Sequence, residues 1–339
     1  MLLKQITLFN FRNYEKAHFS FNSHLTIVIG ENAKGKTNIL EGIYFVINGN
    51  GFRESKEEEL IYFEKNQAYV EGIFKQEDDK QQFKILLNRN FSIEKHYFLN
   101  KTRKPFVQYS QEQIKAILFT PEQIDIVIGA PAIRRKYFDK IISFYDYEYK
   151  KKLDNYDNAL RRRNKIFETY KIEEKLKEEL VFWNEYLIIQ AKYISQKRKE
   201  YVSYLNQNQK LDSKEFSIEY LENELTQKKL DEVFEMEKRM RRTCIGPQKD
   251  DYQISLKSTK YKNIHHYGSR SEQRMGIFWL KLNEIEYFEK VKKKKPILLL
   301  DDVFSELDMH NKQIILDLIL KYQTVITTTE KEIVNMAQG

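Results

Sequence analysis

The stretch GENAKGKT, residues 30–37, decides how the rest of the chain is interpreted. It satisfies the pattern G-x-x-x-x-G-K-[ST], which is common enough by chance that its context must decide. An apolar stretch, residues 25–29, leads in as a strand, and residues 37–47 (TNILEGIYFVI) follow with the pattern of a helix. Glycines in such a turn let backbone N–H groups close around phosphates at a helix N-terminus. The context therefore predicts a phosphate-binding loop (P-loop), with Lys36 at the β- and γ-phosphates and Thr37 offering a hydroxyl to Mg²⁺, rather than a turn with accidental glycines.

The stretch PILLLDDVFSELD, residues 296–308, is the second motif. Its apolar run predicts a buried strand, and Asp301 at the carboxyl end of that strand occupies the position of a Walker B aspartate, which holds Mg²⁺. Asp302 follows at a position from which a carboxylate can orient or deprotonate an attacking water. Paired acids also follow strands in ordinary turns, so this interpretation depends on the P-loop.

The spacing of the motifs distinguishes classes of P-loop protein. Lys36 and Asp301 are 265 residues apart (301 − 36), too far for a compact nucleotide kinase. The stretch YGSRSEQRMG, residues 267–276, resembles the signature loop of ABC-type ATPases, with Ser271 in place of the usual glycine. Ser269 precedes Asp301 by 32 residues (301 − 269), enough for one helix and a turn. This order is typical of ABC-type ATPases, and a helical insertion favours their SMC branch over transporters.

The composition predicts a globular protein with a polyanionic partner. Of the 339 residues 41% are hydrophobic and 14% aromatic, which supports a sizeable core. The formal net charge is +8 and the isoelectric point about 9.0, which favours a polyanion but is weak support alone. A lone cysteine, Cys244, excludes an internal disulfide and a four-cysteine zinc site, and the six histidines show no metal-ligand spacing. The sequence shows no signal peptide and no apolar run long enough to span a bilayer, so we expect a soluble cytoplasmic protein with no membrane partner.

Changes of periodicity outline the fold. Residues 1–30 and 66–100 predict strands, the latter as a meander, whereas apolar residues at helical spacing begin at Ile133. They predict a hairpin of two helices of about 35–38 residues, or about 55 Å each, joined near residues 168–173. The remainder predicts strands and helices in the order strand 216–225, helix 230–242, strand 250–256, helix 270–290, strand 296–302, helix 311–322 and strand 324–329. The fold class is therefore α/β: an ABC/SMC-type P-loop ATPase head split in sequence, with an inserted helical hairpin domain. We expect its domains at residues 1–118 (N-terminal part of the head), 119–240 (helical arm) and 241–339 (C-terminal part of the head).

The chain resembles the RecF family of SMC-like ABC ATPases over nearly its whole length. The resemblance rests on NFRNY (residues 10–14), GENAKGKTNILEGIY (30–44), FTPEQIDIVIGAPAIRRKYFD (119–139), GPQKDD (246–251), GSRSEQR (268–274) and PILLLDDVFSELD (296–308). The sequence departs from the family at Ala33 and Ser271, where glycine is usual, at Gln248 and Lys249 (usually His and Arg), and at Asn311, where arginine is common. Because glycine permits close approach of backbone to phosphate, we expect Ser271 to slow turnover without preventing assembly.

The resemblance implies that ATP and Mg²⁺ bind and that two protomers sandwich two ATP molecules, each between one P-loop and the opposite signature loop. It places Ser269 on the partner's γ-phosphate, Asp308 against the opposite protomer, Arg12 near the nucleotide and Gln123 as a γ-phosphate sensor. The alternatives are a solvent-facing strand-edge arginine for Arg12 and a plain helix-start residue for Gln123. Thr327–Thr329 stands in place of the transporters' switch histidine. The predicted site comprises the catalytic residues Lys36, Asp301, Asp302 and Ser269, the Mg²⁺ ligands Thr37 and Asp301, and the nucleotide-contacting residues Arg12, Gly30, Glu31, Asn32, Ala33, Lys34, Gly35, Lys36, Thr37, Asn38, Gln123, Ser269 and Asp308.

The resemblance further implies a clamp for single- and double-stranded DNA at gaps and junctions. ATP closes the homodimer, and slow DNA-stimulated hydrolysis releases it. The family acts with RecR and RecO in loading RecA, and in the SOS response. Basic clusters could meet DNA phosphates, although charge runs are usually solvated faces. The candidates are Arg134, Arg135 and Lys136, then Arg161, Arg162, Arg163 and Lys165, and, more weakly, Lys292–Lys295.

Three other interpretations share parts of this pattern. A transporter nucleotide-binding subunit is disfavoured by the helical hairpin, by NFRNY and by the missing switch histidine. A nuclease of the overcoming-lysogenization type needs an acidic metal-binding domain after the ATPase, and we expect none here. An SMC protein with a distant hinge needs much more than about 55 Å of hairpin.

Overall fold

The computed structural model describes residues 1–53, 56–110, 114–208, 210–257, 260–305 and 307–338. These residues form two compact units. We call residues 1–123 with 284–339 the head unit, and residues 124–283 the arm unit.

The secondary structure follows the predicted order. The strands are β1 (Leu2–Phe11), β2 (Tyr14–Ser20), β3 (Leu25–Ile29), β4 (Gln67–Gln76), β5 (Asp79–Arg89), β6 (Ile93–Leu99), β7 (Thr102–Lys104), β8 (Ala116–Phe119), β9 (Lys210–Leu211), β10 (Lys214–Leu221), β11 (Asp251–Lys257), β12 (Tyr261–Asn263), β13 (Ile297–Asp301) and β14 (Gln323–Thr328). The helices are α1 (Lys36–Asn48), α2 (Phe106–Ser110), α3 (Asp125–Ile128), α4 (Pro131–Tyr145), α5 (Tyr147–Thr169), α6 (Glu173–Gln207), α7 (Gln227–Met240), α8 (Ile264–Tyr267), α9 (Arg270–Lys292), α10 (Met309–Ile319) and α11 (Glu332–Gln338).

The head unit contains two sheets that enclose α1. An antiparallel sheet has the order β2-β1-β4-β5-β6-β7, and a parallel sheet has the order β3-β14-β13-β8. Strand β13 is buried throughout, as expected for an apolar strand inside a parallel sheet. Helix α1 buries Ile39, Leu40 and Ile43 in a core that both sheets share. The carboxyl ends of β3 and β13 thus lie at one edge of the parallel sheet, beside the start of α1.

The arm unit consists of helices packed on an antiparallel sheet in the order β12-β11-β10-β9. Its hairpin turns between Thr169 and Glu173, where the sequence places the connection. The single first helix of about 35–38 residues is a wrong prediction, because the chain breaks at Asp146 into α4 and α5. The Asp146 side chain accepts a hydrogen bond from the Tyr149 N–H and so caps α5. Helix α5 is therefore about 35 Å long and α6 about 52 Å.

Buried ion pairs join the arm helices to the sheet. Arg198 of α6, 2% exposed, donates to Asp139 of α4 at 2.9 Å and to Asp250 at 2.6 Å. Arg134 donates to both carboxylate oxygens of Asp251, at 2.6 and 2.9 Å. The two aspartates of the GPQKDD motif therefore bind arginines of α4 and α6, which explains their place in the fold.

The compact units divide after residues 123 and 283, whereas the sequence places the boundaries after 118 and 240. The second boundary lies at residue 283 and not at 240 because residues 241–283 pack within the arm unit. Helices α4 and α6 pack on β11 and β10, and Trp279 of α9 donates to the Asn208 carbonyl at 2.7 Å. The domain limits drawn from sequence stay a prediction. Within the described ranges, no helix combines the length and apolarity that crossing a membrane requires.

Candidate functional site

The loop between β3 and α1 has the backbone that a phosphate-binding turn requires. Gly35 adopts φ +90° immediately before the helix, and a Cβ there would lie 2.7 Å from the Asn13 side chain. Ala33 adopts φ +63°, a conformation that L-residues rarely take. The family's usual glycine at Ala33 thus has a local reason, and this chain accepts some strain instead.

The first side chains of α1 meet the end of β13. Thr37 Oγ1 donates to Asp301 Oδ1 at 2.9 Å, joining residues 264 apart in sequence. Thr327 Oγ1, on the neighbouring strand β14, donates to the same carboxylate oxygen at 2.6 Å. Lys36 Nζ donates to the carbonyl oxygens of Gly30 at 2.6 Å and of the next residue at 2.8 Å, which holds the ammonium over the loop. The structure therefore brings together the P-loop and Walker B residues that the sequence singled out.

The two acidic residues after β13 have different surroundings. Burial raises the pKa of Asp301, against which the hydrogen bonds from Thr327 and Thr37 act. Burial and then the Asp301 charge raise the pKa of Asp302, and the Lys36 ammonium opposes this. Asp302 has φ +48°, and its buried Oδ1 accepts no hydrogen bond from the described residues. The turn after β13 thus holds a buried carboxylate oxygen that has no hydrogen-bond donor among the described residues.

These groups fit a magnesium nucleotide. Mg²⁺ favours oxygen ligands and is usually held by one or two carboxylates together with substrate phosphates. Thr37 and Asp301 supply such oxygens side by side. The described residues contain no cluster of three or more His, Cys, Asp or Glu that could hold a metal alone. Thr37 and Asp301 could hold Mg²⁺ together with the phosphates of a nucleotide.

Arg12 lies beside the P-loop helix in a buried ion pair. Its Nε and Nη2 donate to the two carboxylate oxygens of Glu41 at 2.7 and 2.9 Å, and Nη1 donates to the Glu59 carbonyl at 2.9 Å. The Glu41 side chain is fully buried on α1. The strand-edge arginine in solvent is thus the wrong alternative, and the guanidinium is bound to α1. Its neighbour Asn13 accepts from the Asn38 side chain at 2.7 Å, so the NFRNY motif does contact the residues that follow the P-loop.

Gln123 and Asp308 both bond within their own loops. Gln123 Nε2 donates to the Leu118 carbonyl at 3.0 Å, at the end of β8. Asp308 caps α10, accepting from the Asn311 N–H at 2.8 Å and from its side-chain amide at 2.7 Å. Asn311, which replaces the family's arginine, therefore holds the Asp308 carboxylate within the chain. Glu306 of the SELD motif lies outside the described residues.

The signature loop ends in a capping box that starts α9. The Ser269 hydroxyl accepts from the Glu272 N–H at 3.2 Å, and the Glu272 carboxylate accepts from the Ser269 N–H at 2.8 Å. Ser269 is exposed, whereas Ser271 lies half-buried in the first turn of α9. Because Ser271 is helical, this chain's own backbone does not need glycine there, so any such need arises from a molecule that approaches the loop.

The basic candidates separate into buried and exposed residues. Arg134 and Arg163 are 6% and 0% exposed and donate to Asp251 and Glu237 in ion pairs. They cannot reach a DNA phosphate without leaving those carboxylates, so we withdraw both as DNA contacts. Arg135 is half-buried and donates to the Asp250 carbonyl at 2.8 Å, while the remaining arginine candidates, Arg161 and Arg162, are exposed.

Several functional neighbours were missed by the sequence analysis. The serine-to-glutamate spacing of Ser269 and Glu272 is a capping-box signal that the sequence did contain. Glu41 gave no such signal, because its partner Arg12 lies on another element and their pairing depends on tertiary packing. Thr327 was noted only as standing in place of a switch histidine, and its hydrogen bond to Asp301 was not predicted.

Comparisons with known proteins agree over the full length. The model of the RecF/RecN/SMC N terminal domain family matches residues 2–339. A DNA replication and repair protein RecF from Natranaerobius thermophilus is 32% identical, covering 98% of this chain and 92% of the relative. One from Agathobacter rectalis is also 32% identical, with 97% and 92% covered.

Solved structures show the same relationship. That of the recombination mediator protein RecF with ATP, in the RecFOR pathway, has a TM-score of 0.84 and is 28% identical, covering 97% of this chain and 92% of that one. An SMC head domain from Pyrococcus furiosus, 19% identical with a TM-score of 0.56, shares the fold, covering 99% and 92%. The chain belongs to the RecF family of SMC-like ATPases.

Proposed function

We propose that this protein is an ATP-controlled DNA-binding clamp of replication and recombinational repair. The observation that carries the proposal is the hydrogen bond of 2.9 Å between Thr37 and Asp301, which joins P-loop and Walker B strand at the edge of one parallel sheet. The RecF structure solved with ATP supports the choice of nucleotide, since it covers nearly all of this chain.

The residues of the site would share the chemistry of ATP hydrolysis. The loop from Gly30 to Gly35 would bind the phosphates through its N–H groups, and Lys36 would neutralise the β- and γ-phosphates. Mg²⁺ held at Thr37 and Asp301 would supply positive charge at the β- and γ-oxygens. Asp302 would orient the attacking water and take its proton, as the water oxygen bonds to the γ-phosphorus and the bond to ADP breaks.

A second copy of the chain would complete each site. Ser269 is exposed, and its hydroxyl would donate to a phosphate of ATP bound to the partner. ATP would then join two protomers, and hydrolysis would separate them. By membership of the family, the closed dimer would bind gapped or junction DNA and act with RecR and RecO to load RecA and support the SOS response.

Light scattering tests this proposal. We expect the molar mass to double with Mg-ATP for the wild type and for Ser203→Arg, an exposed serine of α6 that serves as the control. Lys36→Met should stay monomeric because it lacks the phosphate contact, and Ser269→Arg should bind ATP but stay monomeric. A wild type that binds Mg-ATP and remains monomeric with DNA present would refute the clamp, and one that binds no ATP would refute the site itself.

A further inference from the structure

The arm unit carries an exposed surface of arginines that takes no part in the nucleotide site described above. Arg161 and Arg162 lie on α5, and Arg239, Arg241 and Arg242 lie at the carboxyl end of α7. All are exposed. We call these residues the arginine patch.

Buried contacts bring the two parts of the patch together. Arg163 donates to Glu237 at 2.7 Å and to the Thr243 hydroxyl at 2.8 Å. Asn164, the next residue of α5, accepts from the Thr243 N–H at 2.7 Å. Arg242 precedes Thr243, and Arg161 lies one turn from Asn164 on the same face of α5. The turn after α7 is thus fixed against α5, and arginines distant in sequence share one surface.

The nearby carboxylates are already paired with other cations. None of the patch arginines has a carboxylate within ion-pair distance among the residues that the structure describes. The neighbouring pairs are Lys165–Glu168, Lys238–Glu173, Lys238–Glu235 and Arg163–Glu237. Asp157, which is not one of these pairs, also lies near the patch. Burial raises the pKa of Asp157, and the charge of Arg161 acts against this rise. The patch therefore keeps a net positive charge.

Helix stability alone does not account for this surface. Cations in the last turn of α7 interact favourably with the helix dipole, a benefit of about 0.3–1 kcal/mol each that falls off within one turn. Arg161 and Arg162 lie in the middle of α5, where that benefit is lost. The clusters are also arginine in a chain whose basic residues are mostly lysine. Arginine is the side chain that binds phosphate in two-pronged geometry.

We propose that the arginine patch binds the phosphate backbone of duplex DNA. The proposal rests on the DNA binding proposed above and adds the surface that performs it. Arg162 lies over the Trp183 ring, 5.6 Å from its centroid, a cation–π contact that helps to position this guanidinium. Contacts with phosphate carry no sequence information, so binding is independent of base sequence. Because the patch belongs to one unit of one chain, each protomer of the closed dimer carries its own patch.

The salt dependence of DNA binding tests the patch. The triple variant Arg161→Ala, Arg241→Ala, Arg242→Ala removes exposed side chains, so its folding should be little affected. Each lost phosphate contact reduces the magnitude of the slope of log K against log salt by about 0.9, so three lost contacts should reduce it by about 2.7 and the affinity at 0.1 M salt by about three decades. Binding of a duplex is measured by fluorescence anisotropy with Mg-ATP present.

Two matched variants separate position from charge. Lys75→Ala, Lys80→Ala, Lys101→Ala removes the same charge from exposed positions of the head unit and should leave the slope within about one. The triple change of the patch arginines to lysine should retain most of the slope. An unchanged slope in the alanine variant, or an equal loss in the head-unit control, refutes the patch while DNA binding itself stands. A wild type without affinity for DNA refutes both proposals.

Discussion

The ion pair between Arg12 and Glu41 offers the sharpest test of the structure. Glu41 is fully buried on the P-loop helix α1, and its Oε1 accepts from the N–H groups of Phe52 at 3.3 Å and Arg53 at 3.2 Å besides the guanidinium. Glu41→Ala removes the carboxylate that holds β1, α1 and the segment after α1 together. It takes away the two carboxylate oxygens to which Nε and Nη2 of Arg12, 15% exposed, donate.

The expected loss follows from these surroundings. Breaking a buried ion pair by removing one partner costs about 3–5 kcal/mol. The lower end applies, because the Arg12 side chain retains some exposure and the N–H of Arg53 lies near solvent. We therefore expect Glu41→Ala to lower the free energy of opening of the head unit by about 3 kcal/mol. Arg12→Ala should cost a similar amount, and the double variant little more, giving a coupling energy of about 2 kcal/mol.

The assay must report on the head unit alone. Both tryptophans, Trp183 and Trp279, lie in the arm unit, so tryptophan fluorescence would report on the wrong part of the chain. Amide hydrogen exchange of peptides from β1 and α1 measures the required free energy. The control is Glu15→Ala on β2, an exposed position where a change should stay within about 0.5 kcal/mol. A loss below about 1 kcal/mol for Glu41→Ala, or a coupling below about 0.5 kcal/mol, would contradict the buried pair.

Three further changes have distinct expected outcomes. Ala33→Gly should change the free energy of unfolding by no more than about 0.5 kcal/mol, because the strain of an alanine in the left-handed conformation is relieved while the unfolded chain gains the conformational entropy of glycine. The control Ala132→Gly in α4 should lower the free energy of unfolding by about 1 kcal/mol, both measured by urea titration. Asp302→Asn should raise stability at neutral pH and abolish ATP hydrolysis. Because the pKa of Asp302 is raised in the folded protein, its ionised carboxylate destabilises the fold at any pH above the ordinary pKa of a carboxyl. This destabilisation becomes smaller as the pH falls through the raised pKa. The gain over wild type should therefore shrink on acidification, and a gain that grows would be contrary to the assigned burial. Arg163→Ala should lower the free energy of opening of α5, measured by hydrogen exchange, by about 3–5 kcal/mol, and Arg162→Ala by no more than about 1 kcal/mol. Equal losses would show that Arg163 is not buried in an ion pair.

The sequence predicted the elements that carry local signals. The glycine loop, the apolar strand before Asp301 and the alternating strands of the meander each follow from residue periodicity, and the structure confirms them. The break at Asp146 was missed because the apolar spacing continues through α4 and α5. The local signal for the break is Asp146 itself, because its side chain forms the N-cap of α5.

The site was predicted as far as its motifs extend along the chain. The pairing of Thr37 with Asp301 could be expected, because parallel strands end at one edge of a sheet. Which residues of the run from Arg161 to Arg163 are buried could not be predicted. Within one helical turn two of these arginines are exposed, and the third is buried in an ion pair with Glu237. Partners that come from distant parts of the chain are set by tertiary packing and leave no mark in the local sequence.

The order of the parallel sheet governs when the P-loop can form during protein synthesis. Strand β3 hydrogen-bonds to β14 in the described sheet, and β14 begins 294 residues later (323 − 29). At about 5–20 residues per second, the ribosome needs roughly 15–60 s to cover that interval. Throughout this time β3 and the glycine loop lack the neighbouring strand β14, while residues 124–283 of the arm unit are synthesised. Nascent chains of this protein therefore complete the parallel sheet beside the P-loop only after β14 has been made.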